Sequence, residues 1–169
     1  PFENIVFDSK AAQVKELTTA EYFNDEDGEE LAYTFEFSNP DIANMTYSNG
    51  KFQVTSMNYG VSEIKVTGTD VRGETVSQSI KVLVRNGNKP LNLYPNPVHD
   101  MMYISVGRVV SQLQLKMISA LGTVAYSGEL GAVTPFDAIA VDLSELRAGS
   151  YTAVVVMDGE EYRQQIVKL

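Results

Sequence analysis

The stretch Leu93-Tyr94-Pro95-Asn96-Pro97, with His99 and Asp100 close behind it, marks the entrance to a separate C-terminal β-domain. Proline fixes φ and has no backbone N–H, so Pro95 and Pro97 cannot both lie in a central strand. Each proline also pushes the residue before it toward an extended conformation. The segment is therefore predicted to be an edge or entry strand, with a stiff turn as the simpler alternative.

Downstream of this stretch, apolar and polar residues alternate as they do in half-buried strands. Thr152–Met157 is the most continuously apolar run and is predicted to be a central strand. Asp158-Gly159 predicts a tight hairpin that leads into a last strand. That strand is predicted near a sheet edge, with Tyr162, Gln164 and Ile166 on one face and Arg163, Gln165 and Val167 on the other. Leu130 to Pro135 is predicted to be a loop.

The first half of the chain is also rich in strand signals. Leu31, Tyr33, Phe35 and Phe37 alternate with polar residues, and Asn49-Gly50 is the strongest hairpin signal in the sequence. About seven short strands at this spacing predict a β-sandwich. The segment 86–90 is polar apart from its proline and is predicted to be a linker between a domain at 1–85 and a second domain at 91–169. The predicted fold class is all-β, with two consecutive antiparallel β-sandwich domains.

Charge and composition exclude several classes of function. The formal charge is −9, and residues 1–90 carry 14 acidic against 8 basic residues while residues 91–169 carry 8 against 5. Because binding to phosphates needs clustered Lys and Arg, nucleic-acid binding is not expected. The chain has no cysteine, which excludes disulfides, thiolate metal sites and cysteine catalysis. No apolar run approaches the roughly 20 residues of a transmembrane helix.

From residue 91 to 169 the sequence resembles the C-terminal sorting domain of the type IX secretion system of Gram-negative bacteria. Six motifs recur in the family's order and end at the last residue. They are Tyr94-Pro95-Asn96-Pro97, Met102-Tyr103-Ile104-Ser105-Val106, Leu121-Gly122-Thr123-Val124, Ile139-Ala140-Val141-Asp142-Leu143-Ser144, Leu146-Arg147-Ala148-Gly149-Ser150-Tyr151 and Gln165-Ile166-Val167-Lys168-Leu169.

The resemblance implies a sorting signal that is recognised in its folded state at the outer membrane. The implied partners are the outer-membrane translocon, a sortase-like peptidase that removes the signal, and an upstream cargo domain of the same chain. The start at Pro1-Phe2 without a methionine agrees with a C-terminal piece of such a protein. The expected location is secreted or at the cell surface, after transit through the periplasm. The implied sorting-motif residues are Tyr94, Pro95, Asn96, Pro97, Gly149, Tyr151, Val167 and Lys168, and the implied processing region is Gly87, Asn88, Lys89 and Pro90.

The first domain resembles the cadherin-like and Ig-like domains attached to bacterial surface enzymes and adhesins. The residues that carry this resemblance are Tyr22-Phe23 before Asp25-x-Asp27-Gly28, Leu31-x-Tyr33, Gly60 before Ile64-x-Val66-x-Gly68-x-Asp70, Gly73, and Val82-x-Val84. It implies an Ig-like sandwich and says little about function.

Calcium is the one cofactor for which the sequence offers candidate ligands. Asp25, Asp27 and Asp70 resemble the carboxylates that cadherin-like folds gather at one pole, with Glu29, Asn86 and Asn88 as further oxygen donors. Calcium takes six to eight oxygen ligands, so this set is chemically sensible. A solvated acidic loop with an Asp-Gly turn is the alternative interpretation.

No catalytic constellation is found in the sequence. His99 is the only histidine, and its neighbours are turn residues, which favours a structural or capping role over that of a general base. No phosphate-binding glycine pattern is present. The predicted function is therefore non-catalytic: an Ig-like spacer followed by a sorting signal in a secreted surface protein. A peptidase is one candidate for the upstream part of that protein. The alternative is an adhesive or carbohydrate-binding role for the first domain.

Overall fold

The computed structural model of the chain describes residues 1–24, 28, 30–87 and 89–169. The described residues divide into two compact units, Pro1–Gly87 (unit 1) and Asn88–Leu169 (unit 2). Within them, no helix is long and apolar enough to span a membrane. The prediction of an all-β chain with two consecutive Ig-like sandwiches is confirmed, because each unit consists of two sheets that share a core.

Unit 1 contains seven strands in its described residues, and a single 3-10 turn lies at Thr19–Glu21. One sheet has the order β1-β7-β6-β3 and the other the order β2-β5-β4. The strands are β1 (Ile5–Phe7), β2 (Val14–Thr18), β3 (Ala32–Phe37), β4 (Ala43–Ser48), β5 (Lys51–Ser56), β6 (Gly60–Thr69) and β7 (Thr75–Val84).

Two local predictions for unit 1 are confirmed. Asn49 and Gly50 have φ of 51° and 73° and join β4 to β5, as a type I′ turn requires. The alternating residues of β3 are half-buried. The expectation of purely antiparallel sheets is wrong at one place, because β1 runs parallel to β7 with Ile5 opposite Val82. This pairing joins the two ends of the unit, so the alternation of neighbouring apolar and polar residues does not predict it.

Unit 2 is formed by the remaining strands. One sheet has the order β11-β10-β13-β14 and the other the order β12-β9-β8. The strands are β8 (Leu91–Tyr94), β9 (Met101–Val106), β10 (Val110–Ser119), β11 (Val124–Val133), β12 (Ile139–Asp142), β13 (Gly149–Met157) and β14 (Glu160–Lys168).

The core of unit 2 follows the predicted alternation. Apolar side chains of both sheets meet in one buried cluster, which includes Met102, Ile104, Val106, Leu113, Leu115, Met117, Val141, Leu143, Val155 and Ile166. As predicted, β13 lies inside its sheet, and Asp158 and Gly159 turn it into β14 with φ of 49° and 90°. The loop prediction for Leu130 to Pro135 is wrong in part, because β11 continues to Val133. Register shifts between β10 and β11 interrupt the alternation there and hide the strand.

Candidate interaction surface at the C-terminal strand

The last strand, β14, lies at the edge of its sheet and has two distinct faces. It pairs with β13 from Met157↔Glu160 to Gly149↔Lys168. Its even-numbered residues from Tyr162 to Lys168 are buried or half-buried, and its odd-numbered residues are exposed. The predicted alternation of the strand is therefore confirmed.

The side chain of Asn96 occupies part of the outer edge of β14. Its Nδ2 donates a hydrogen bond to the carbonyl oxygen of Gln165 at 2.9 Å, and its Oδ1 accepts one from the N–H of Val167 at 3.0 Å. A carboxamide carries both a donor and an acceptor, so it pairs with the strand much as a backbone amide does. Asn96 thus supplies a strand-like contact between two prolines that have no N–H of their own.

Val98 continues this contact with its backbone. Its N–H donates to the carbonyl oxygen of Val167, and its carbonyl oxygen accepts from the N–H of Leu169, both at 2.8 Å. Val98 is fully buried and forms a parallel bridge with Lys168. We call Asn96–Val98 the clip, because it fastens the entry segment of unit 2 to the end of β14.

The clip corrects one expectation from the sequence. The sequence places β14 near a sheet edge, and edge strands ordinarily present unpaired N–H and C=O groups. Here the outward groups of Gln165, Val167 and Leu169 are instead bonded to Asn96 and Val98. Sequence reasoning missed Val98 and Gln165 as members of the site. The signal that was available is an asparagine between two prolines followed by a single valine in an otherwise turn-like stretch.

The structure brings the three dispersed parts of the predicted sorting motif to one end of β14. Asn96 binds the backbone of Val167, and Gly149 pairs with Lys168. Pro95, Asn96 and Pro97 are exposed, as are the side chains of Gln165, Val167 and Leu169 on β14. The result is one exposed seam, formed by residues that are about 70 positions apart in sequence.

Two residues of the predicted motif have inward-facing structural contacts. Tyr151 is buried, and its hydroxyl donates to the carbonyl oxygen of Arg147 at 2.8 Å, which resembles the tyrosine corner of β-sandwiches. The side chain of Lys168 is only 6% exposed, and its Nζ lies 2.9 Å from the carbonyl oxygen of Leu169 and 3.5 Å from Oδ1 of Asp100. Tyr151 and Lys168 therefore support the seam from the buried side and are not part of its exposed surface. His99 is exposed and follows the clip directly.

The described residues of the predicted processing region belong to different units. The N–H of Gly87 donates to the carbonyl oxygen of Asp8 in unit 1 at 3.1 Å. The carbonyl oxygen of Pro90 accepts from the N–H of Gly107 in unit 2 at 2.9 Å. Asn88 lies outside the described residues. The division between the units falls between Gly87 and Asn88, inside the predicted linker.

At the other end of β14, Asp158 fixes the hairpin. Its Oδ1 accepts hydrogen bonds from the backbone N–H groups of Gln112 at 2.9 Å and Ser111 at 3.0 Å. Its Oδ2 forms an ion pair with Arg108 at 2.9 Å. The bond from Gln112, followed by that from Arg108, holds the pKa of Asp158 below its ordinary value. Each donor favours the charged carboxylate, so protonation loosens the hairpin.

We predict that Asp158→Asn lowers the melting temperature of unit 2 at neutral pH. Asparagine tolerates φ > 0, so the turn is kept and only the charge is lost. When the pKa of a carboxylate is lower in the folded than in the unfolded protein, the carboxylate stabilises the fold fully at pH values above its unfolded-state pKa of about 3.9. This stabilisation is lost as the pH falls through the lower folded-state pKa. The melting temperatures of the two proteins should therefore converge between about pH 5 and pH 2. A constant difference across that range would contradict the assignment.

The calcium prediction concerns residues that the structure describes only in part, because Asp25, Asp27 and Glu29 lie outside the described residues. Asp70 is described, and its Oδ1 accepts from the N–H groups of Arg72 at 2.9 Å and Glu74 at 2.7 Å. These bonds close the turn between β6 and β7. In the described part of the chain no three acidic or histidine side chains are grouped as metal ligands.

Calcium binding stays a prediction with a direct test. A ligand that binds only the folded state raises stability by mass action. Millimolar calcium should raise the melting temperature of unit 1, and Asp27→Ala should remove the increase. Asp41→Ala, a change to an exposed aspartate elsewhere in the unit, serves as the control. If calcium left the melting curve of the parent chain unchanged, the interpretation of these residues as a solvated acidic loop would remain.

A cavity of about 260 Å³ lies between the aromatic residues of unit 1. The rings of Tyr33 and Tyr47 are 4.7 Å apart at its wall, beside Phe23. Burial, with Tyr47 and Glu30 nearby, raises the pKa of Tyr33. The hydroxyl of Thr19, another lining residue, is buried without a hydrogen-bond partner among the described residues. The lining of the cavity thus combines aromatic side chains with polar groups.

Comparison with known proteins identifies one family. Residues 92–169 match the family described as the secretion system C-terminal sorting domain. No curated protein matches the chain.

Among solved structures, latent PorU from Porphyromonas gingivalis is 14% identical, with 86% of this chain and 17% of that chain covered and a TM-score of 0.36. The SGBP-B protein of the Bacteroides ovatus mixed-linkage glucan utilization locus, in complex with a heptasaccharide, is 14% identical, with 98% and 42% covered and a TM-score of 0.39. The PKD domain of the KIAA 1837 protein is 17% identical, with 53% and 86% covered and a TM-score of 0.39. At these scores the structural likenesses carry no functional argument.

Proposed function

We propose that residues 92–169 act as a non-catalytic signal that is recognised in the folded state. The premise is that these residues belong to the family of type IX secretion system C-terminal sorting domains. A protein with such a domain is secreted or exposed at the cell surface. The observation that carries the proposal is the exposed seam, where Asn96 joins the backbone of Gln165 and Val167. Only the folded sandwich brings the dispersed parts of the motif together in this way.

The proposed partners are the outer-membrane translocon and a sortase-like peptidase that cuts between the units. Cleavage in Gly87 to Pro90 fits the division between Gly87 and Asn88, since a cut there separates two compact units without entering either core. Unit 1 would then remain with the upstream cargo as an Ig-like spacer. A peptidase is one candidate for that cargo.

The test is a pair of fusions to a periplasmic reporter in a host with type IX secretion. A reporter that carries residues 86–169 should reach the cell surface and lose the tail near residues 87–90. A reporter that carries residues 1–85 is the matched control, because it adds an acidic β-sandwich of similar size, and it should remain periplasmic. The proposal fails if the first fusion stays in the periplasm or if both fusions are exported equally.

Carbohydrate binding by unit 1 is a second candidate function, favoured by the cavity beside Tyr33 and Tyr47. Tyrosine faces suit the apolar side of a sugar ring, and Glu30 and the tyrosine hydroxyls suit its hydroxyl groups. Titration with glucose and cello-oligosaccharides should shift the NMR signals of Tyr33 and Tyr47, and Tyr47→Ala should abolish the shift of the Tyr33 signal. Absence of any shift at millimolar sugar would leave unit 1 as a spacer.

A further inference from the structure

The cavity of unit 1 beside Tyr33 and Tyr47 lies in a part of the chain with one sign of charge. The lining residues that the structure describes all come from the stretch 19–50, which contains eight acidic residues and no Lys or Arg. The first base after this stretch, Lys51, is already engaged, because its Nζ lies 2.7 Å from Oε2 of Glu16. A concave site with one sign of charge concentrates ligands of the opposite sign. The cavity therefore favours a cationic ligand and disfavours an anionic one.

Glu30 is the one charged residue in the described lining of this cavity. Its side chain is exposed, and it forms no ion pair within the described part of the chain. After burial and Tyr47, the charge of Glu30 is a further cause that raises the pKa of Tyr33, so its electric field reaches the tyrosine at the cavity wall. Glu30 thus offers a carboxylate without a counter-ion, and a charge-assisted hydrogen bond from an ammonium group is the strongest contact that it can make.

The rest of the lining suits a sugar ring better than a bare cation. Tyr33 and Tyr47 are half-buried, with ring centroids 4.7 Å apart, and Phe23 lies beside them. Aromatic side chains pack against the apolar face of a sugar, and the amide of Asn24 can bond its hydroxyl groups. At about 260 Å³ the cavity is slightly smaller than those that hold drug-sized ligands, which measure about 300–1,000 Å³. Its size therefore suits a single sugar residue.

We propose that this cavity binds an amino sugar, a pyranose that carries a protonated amino group. The ammonium group pairs with the carboxylate of Glu30, and the ring lies against Tyr33 and Tyr47. A neutral sugar leaves the charge of Glu30 without a counter-charge, and a sugar acid is repelled by it. The inference rests on the proposed carbohydrate binding by unit 1, to which it adds the class of sugar.

Titration of the full chain with three sugars of the same ring configuration tests the proposal. Glucosamine carries a positive charge, whereas N-acetylglucosamine and glucose are neutral. With a calcium chelator present, and with binding followed by the NMR signals of Tyr33, glucosamine should bind at least about 3-fold more tightly than the neutral sugars, as expected for an exposed ion pair. High salt should reduce this preference by screening. Equal binding of the three sugars would overturn the inference and leave carbohydrate binding intact, whereas no binding of any sugar would overturn both.

Two variants and a fragment of the ligand test the assigned contacts. Glu30→Gln removes the charge and keeps the size of the side chain, so it should abolish the preference for glucosamine without changing the affinity for glucose. Glu36→Gln is the matched control, because Glu36 is an exposed glutamate of the same unit whose Oε1 lies 3.2 Å from Nζ of Lys65, and it should keep the preference.

The fragment is 2-aminoethanol, which carries the ammonium group without the ring and should bind at least about 10-fold more weakly than glucosamine, because it lacks the contacts with the tyrosines. A preference that survives Glu30→Gln, or 2-aminoethanol that binds as tightly as glucosamine, would overturn the proposal. All of these measurements use purified protein, so a failure of reporter export would count against sorting alone.

Discussion

Phe52→Ala should destabilise unit 1 by about 3–5 kcal/mol and leave the unfolding of unit 2 unchanged. Phe52 is fully buried, and its ring lies 4.9 to 6.0 Å from those of Phe2, Phe23, Tyr33, Phe35 and Tyr47. Removal of the ring leaves a cavity at the centre of an aromatic cluster, and a cavity of this kind adds to the loss of buried apolar surface. A loss of this size is a large part of the roughly 5–15 kcal/mol that stabilises a typical domain.

Urea unfolding followed by NMR separates the two units residue by residue. The control is Val71→Ala, because Val71 is 74% exposed and its truncation should change stability by less than about 0.5 kcal/mol. We predict that the units fold separately, since each has its own core. If Phe52→Ala shifted the transition of unit 2 by the same amount, the two units would form one cooperative structure.

Leu115→Ala should destabilise unit 2 by about 2–5 kcal/mol. Leu115 is fully buried on β10, where it lies opposite Val155 on β13. Leu121→Ala makes the same chemical change in the same unit at a side chain that is 92% exposed, at the tip between β10 and β11. That control should stay within about 0.5 kcal/mol of the parent. Similar losses in the two variants would mean that the burial pattern of unit 2 is wrong.

The parts of the fold that the sequence predicts well are those coded by neighbouring residues. Asn49-Gly50 and Asp158-Gly159 set their hairpins, because few other dipeptides accept positive φ at both positions. Alternation likewise identifies the buried face of β14. The parallel pairing of β1 with β7 is different, because it joins residues 77 positions apart and depends on how the whole unit closes.

The candidate site shows the same division between local and distant information. The two prolines mark a segment that cannot lie in a central strand, so the sequence predicts its position at the entry of unit 2. The sequence does not predict that this segment contacts β14, because Asn96 binds β14 through a side chain and no periodicity indicates a contact with residues 69 to 71 positions away. The exposed edge expected from the pattern of β14 is thus covered at Gln165 to Leu169.

The central claim is that the sorting signal is a folded surface and not a linear segment. The most direct test is the surface-exposed fraction of a reporter fused to residues 86–169 that carry Leu115→Ala, measured at a temperature where this tail is unfolded. The change lies outside Pro95–Val98 and outside β14, so it alters the fold and leaves the seam's own residues intact. We predict that this reporter stays in the periplasm while the parent and Leu121→Ala tails reach the surface. Equal surface exposure of the unfolded tail would contradict the claim and assign the signal to the linear sequence.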